Sequence, residues 1–69
     1  MQTIIKQIQD KVIPLTGSNM IAYALNNSIN ESQDEMIMLS NIKDMAKDNY
    51  VMIRSILGKE LLTDIINHK

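Results

Sequence analysis

The sequence predicts an all-α protein: a small bundle of three to four helices with a long central helix, paired as a dimer. The strongest sign is a seven-residue repeat over 38–58, running Met38-Leu39-x-x-Ile42, Met45-Ala46-x-x-Asn49, Met52-Ile53-x-x-Ile56. That spacing keeps one helix face turned toward its neighbours, whereas a strand would scatter the same residues over two faces. Elsewhere, too, the apolar residues recur at helical spacing and no segment alternates. Size supplies the third observation. Sixty-nine residues make a single domain, and at that length only about 60% of the unfolded chain's surface is buried on folding. A core this small rarely supplies more than about 3–5 kcal/mol, and small proteins add disulfides, metal or a second subunit. Cysteine is absent and the single histidine, His68, stands next to the end, so self-association is the expected reinforcement.

The first helix is expected over about residues 2–12, where Met1, Ile4, Ile5, Ile8 and Val12 share a face opposite Lys6, Gln7, Asp10 and Lys11. Pro14 biases Ile13 away from helical geometry and Gly17 adds a turn, which predicts a break over 13–18. Thr16 or Ser18 is the expected N-cap of the second helix, with Leu15 and Met20 at staple positions if Thr16 is used. That helix is expected over about 19–29 and to fray after Leu25, because Asn26, Asn27 and Ser28 are poor helix formers. Ser32 and Glu35 have capping-box spacing, so the third helix should start about residue 33 and run through the heptads to about 57. Gly58 should break it, leaving a fourth helix over about 59–67 built on Leu61, Leu62, Ile65 and Ile66.

In the heptad frame Ile42, Asn49 and Ile56 are a, the methionines at 38, 45 and 52 are d, and Leu39, Ala46 and Ile53 are e. A stripe this wide suits a helix buried among several neighbours better than a two-stranded coiled coil. Asn49 is the polar member, and at an a position asparagine fixes register by pairing with its counterpart in a dimer. Met36, Ile37, Tyr50 and Val51 fall beside or opposite the stripe, which makes them the expected partner-binding residues.

Seven basic and eight acidic residues give a net charge of −1 without a basic run, which argues against nucleic acid or an anionic membrane as the main partner. No apolar run approaches the roughly 18 residues of a membrane span, and Met1-Gln2-Thr3 opens an amphipathic helix, so a cytoplasmic protein is expected. No nucleophile stands at a recognisable spacing from a base, and there is no phosphate loop or metal-ligand cluster. The expectation is a non-enzymatic interaction module, an adaptor or regulator that binds another protein, itself, or both through an apolar helix surface. It should need no cofactor, metal or small-molecule substrate. The alternative is a small dimeric nucleic-acid-binding regulator, because Ile21-Ala22-Tyr23-Ala24-Leu25, a polar turn and the third helix have the order of a helix-turn-helix. Against it, Asp34 and Glu35 open the would-be recognition helix, where phosphate would lie.

Ser40-Asn41-Ile42-Lys43-Asp44 resembles the S-Q-E-L-D motif of the small helical-hairpin sporulation phosphatases at its Ser and Asp. Asn41, Ile42 and Lys43 replace that family's Gln, Glu and Leu. The resemblance implies a helical hairpin that dephosphorylates an aspartyl-phosphate response regulator.

Overall fold

The third heptad helix is interrupted at Asn49, and the chain forms five α-helices instead of three or four. The computed structural model describes residues 3–31 and 34–68; expectations resting on Met1 and Ser32 fall outside them. The helices are α1 (Ile4–Val12), α2 (Met20–Asn30), α3 (Glu35–Asp48), α4 (Tyr50–Leu57) and α5 (Lys59–Asn67), and there is no strand among the described residues.

Thr3 caps α1, its side chain accepting from the Lys6 amide at 3.2 Å. Pro14 does not end helical geometry at Ile13, which keeps φ −56° and ψ −44°. The chain instead tightens into a 3₁₀ turn over Ile13–Leu15, which suits Pro14 because a proline in a first turn forfeits no hydrogen bond. Neither Thr16 nor Ser18 caps α2. The Thr16 hydroxyl donates to Ile13 O at 3.0 Å, and the Asn19 side chain accepts from the Ile21 and Ala22 amides at 2.9 and 3.1 Å. Met20 is exposed, so the expected staple does not form.

α2 also continues past Leu25 to Asn30. Burial of Ile29 in the core outweighs the poor propensity of Asn26 to Ser28, and the Ser28 hydroxyl donates to Met45 Sδ of α3 at 3.6 Å. Asp34 caps α3, its carboxylate accepting from the Met36 and Ile37 amides at 2.8 and 3.4 Å.

Asn49 takes φ −131° and ψ +41°, far from helical ψ. Its amide still donates to Met45 O at 2.9 Å and its carbonyl still accepts from Ile53 at 2.9 Å. The side-chain amide also reaches Met45 O, at 3.4 Å. α4 therefore leaves the axis of α3 with the bonds through Asn49 intact on both sides. It then packs against α1, α2, α3 and α5. The centre of the bundle is thus an eight-residue helix, and the expected continuous spine over 33–57 is replaced by two segments.

The core is wholly aliphatic: no polar side chain is buried among the described residues. α1 contributes Ile8 and Val12, α2 Ala22, Leu25 and Ile29, and α3 Leu39, Ile42 and Ala46. Ile53 and Leu57 of α4 meet Leu61, Leu62 and Ile65 of α5. In heptad terms the burial is centred on e more than on d. Leu39, Ala46 and Ile53 are buried, Met38 and Met45 only partly so, and Met52 is exposed. The radius of gyration is 10.7 Å, against about 11 Å for a compact chain of this length.

At Gly58 the backbone takes φ +90° and ψ +155°, a region open essentially to glycine. Its amide donates to Arg54 O at 2.8 Å and its carbonyl accepts from Leu62 at 3.1 Å, which joins α4 to α5 without a linker. Lys43 Nζ donates to His68 O at 2.9 Å and holds the far end of α5 against α3.

Three substitutions test these turns in urea melts. A Cβ at Gly58 would meet nothing within 4 Å, so Gly58→Ala should cost about 1–3 kcal/mol from backbone strain alone. Gly17→Ala, also in open space but without a positive φ, should be neutral or stabilising by up to about 1 kcal/mol in the same urea melts. Asn49→Ala should lower stability by about 1 kcal/mol, because the bend loses its second donor to Met45 O. A register-fixing asparagine would give the opposite sign, stability rising on removal.

Candidate functional site

The expected contact residues fall on two helices. Met36 and Ile37 lie on the first turn of α3, and Tyr50 and Val51 open α4. All four are exposed, yet the structure makes two small patches of them.

The Tyr50 end is the richer. Tyr50, Val51 and Met52 are 50%, 78% and 50% exposed, three consecutive apolar side chains on the turn whose next residue, Ile53, is the core anchor. The turn projects because the bend at Asn49 swings α4 inward by its Ile53–Leu57 face and leaves its first residues outside. Two grooves adjoin at Tyr50. One, of about 350 Å³, is lined by Lys43, Ala46, Lys47, Tyr50 and Ile66. The second, of about 300 Å³, is lined by Tyr50, Val51, Arg54, Ser55 and Lys59. Lys43, Lys47, Arg54, Lys59 and Ile66 were not among the residues expected to make contact. A signal for three of them does exist, since Lys43, Lys47, Tyr50 and Arg54 have the i, i+4, i+7, i+11 spacing of one helix face.

Two larger grooves are chemically different. The one of about 660 Å³ around Gly58 carries Asp10, Glu60 and Asp64 beside Lys11 and Lys59, so its charges largely offset one another. The one of about 560 Å³ is lined by Thr16 to Met20, Tyr23, Ala24 and Asn27 and has no ionisable group apart from the Tyr23 phenol.

Asn49 is half-buried and spends its amide on its own chain, at Met45 O. Ser40 and Asp44, the two residues shared with the phosphatase motif, are both exposed, and Asp44 lies 3.6 Å from Lys47 Nζ. Ile42, at the family's Glu position, is fully buried in the core, so that position presents no carboxylate. No group of three or more His, Asp or Glu residues is placed to hold a metal ion among the described residues, and none of their helices is long and apolar enough to cross a membrane. No family model matches this chain, nor does any curated protein or solved structure.

Exposure of Ile37 and Val51 makes them separable from the core by mutation. Ile37→Glu and Val51→Glu should each shift stability by no more than about 0.5 kcal/mol in thermal or urea melts. Ile42→Glu, at a position with no solvent contact, should leave the chain unfolded at room temperature, because a buried carboxylate there has no partner.

Proposed function

We propose that the protein is a small non-enzymatic helical module that binds another protein, with the Tyr50–Val51 turn as its point of contact. The observation that supports this most is the exposure of Tyr50 and Val51 side by side in one groove bordered by Arg54, Ser55 and Lys59, on a helix otherwise packed against every other helix. Apolar residues scattered singly on a surface need no explanation, whereas a contiguous strip rimmed by polar groups is the usual mark of a contact surface. A turn held by the core also loses little conformational freedom when a partner settles on it. Met36 and Ile37 form a second, smaller contact for a partner long enough to follow α3.

Pairing of two copies and a cytoplasmic setting belong to the same proposal, and both rest on composition and size. A nucleic-acid-binding regulator is the weaker reading. The first turn of α3, where phosphate would lie, presents Glu35 and the capping carboxylate of Asp34.

Affinity capture from the native host tests the proposal with three immobilised proteins: wild type, Tyr50→Glu/Val51→Glu, and Met20→Glu. Met20 is 87% exposed and lies outside the proposed face. A specific protein should be retained by wild type and Met20→Glu and lost from the double variant, which pairs an uncompensated charge with each apolar contact. The same retained proteins on all three would defeat the Tyr50 face as a contact. The pairing of copies is read separately: the melting temperature should rise with protein concentration, and a concentration-independent melt would remove it.

A further inference from the structure

We propose that the Tyr50 face is selective for an acidic partner segment: an amphipathic helix with an apolar stripe flanked by Asp and Glu. The inference rests on the proposed contact face and adds the chemistry of what binds there. Four of the chain's seven basic residues, Lys43, Lys47, Arg54 and Lys59, line the two grooves that meet at Tyr50, and no carboxylate lines either one. The whole chain carries a net charge of −1, so this concentration of cations is a property of the fold and not of the composition.

The cations are also available. Arg54 and Lys59 make no side-chain hydrogen bond or ion pair among the described residues. Lys47 has only Asp44, at 3.6 Å with both side chains more than two-thirds exposed, which is a weak, solvent-screened pair. Lys43 donates one of its three protons to His68 O and keeps two.

Between the cations the surface is apolar: Ala46, Tyr50 and Ile66 in one groove, Tyr50 and Val51 in the other. A groove between two helices that offers both apolar contact and positive charge is complementary to a third helix whose apolar stripe is flanked by negative charge. Nucleic acid fits less well. Binding through phosphates draws on about 6–10 backbone contacts, whereas this face has four cations, with Asp44 and Asp48 on the adjoining turn of α3. Phosphates set against the Val51 and Ile66 side chains would also lose water without gaining a hydrogen bond.

The experiment is selection of a displayed random library of peptides about 16 residues long, which as helices span about 24 Å. Selection runs against the full chain and against Arg54→Glu/Lys59→Glu. Peptides selected by wild type should carry apolar residues at i, i+4 and i+7 with Asp or Glu beside them. A synthetic peptide of the selected sequence should bind about tenfold more weakly in 500 mM than in 50 mM salt. The charge-reversed protein should lose that peptide by about tenfold or more and select basic sequences. Its melt establishes that it is folded, and Arg54→Gln/Lys59→Gln replaces it if it is not. Apolar peptides without an acidic bias, lost on Tyr50→Glu, would overturn the charge inference and leave the contact face standing. Peptides that still bind Tyr50→Glu, or no selected peptide at all, would overturn both. Preferential retention of a DNA or RNA oligonucleotide at physiological salt would overturn the acidic helix as the occupant.

Discussion

One backbone bend, at Asn49, decides how this chain packs. A straight helix from Glu35 to Leu57 would be about 35 Å long, longer than the 30 Å greatest extent of the molecule. It could offer its neighbours only one edge. By turning at Asn49 the chain brings Ile53 and Leu57 to the centre, where α4 touches all four other helices. The bend keeps the amide bond to Met45 O and the carbonyl bond from Ile53, so its cost is confined to one residue's conformation and the ladder bonds it displaces. Asparagine suits that place because its side-chain amide can supply a donor to the carbonyl behind it. The second corner, at Gly58, depends on a conformation that only glycine takes readily. Together the two corners let a chain of this length, which has no cysteine, enclose a core without a disulfide.

The apolar pattern of the sequence was a sound guide to what lies inside. Leu39, Ile42, Ala46 and Ile53 are read correctly from the heptads, as are Leu61, Leu62 and Ile65 from the C-terminal segment, because periodicity records which face a helix buries. It does not record whether the helix is straight. The buried positions on either side of Asn49 stay in phase, so the repeat passes through the bend without a stutter. Asn49 was legible as the odd residue of the stripe, but its two roles, register or bend, look identical in one dimension. Local capping was read less well. Asn19 and Asp34 cap α2 and α3, while Thr16 bonds back to Ile13, and several adjacent residues there had the right chemistry. The persistence of α2 to Asn30 depends on the burial of Ile29 in the core, a tertiary fact that propensity cannot carry.

The surface was the least legible part. Tyr50 and Val51 could be placed outside the stripe, but the cations around them come from α3, α4 and α5. Lys59 joins only because Gly58 folds α5 back beside α4. Lys43, Lys47 and Arg54 did carry a pattern across the bend, hidden because lysine and arginine on the polar side of a helix look like ordinary solvation. Charge counted along the sequence is nearly balanced, whereas the two grooves that meet at Tyr50 are lined by four cations and no carboxylate. A local field of that kind governs which partners approach more than how tightly they are held.

The choice of core residues has an optical consequence. Phenylalanine and tryptophan are absent, and the two tyrosines, Tyr23 and Tyr50, are both on the surface. The interior therefore holds no chromophore, and near-ultraviolet absorption and intrinsic fluorescence report on the outside of the molecule. Loss of the aliphatic packing reaches them only through the covered parts of the two half-exposed rings, while a change in the solvent around the Tyr50 ring is visible without any label. Tyr23, on α2 and away from both Tyr50 grooves, adds an overlapping signal that Tyr23→Phe would remove, leaving Tyr50 as the reporter.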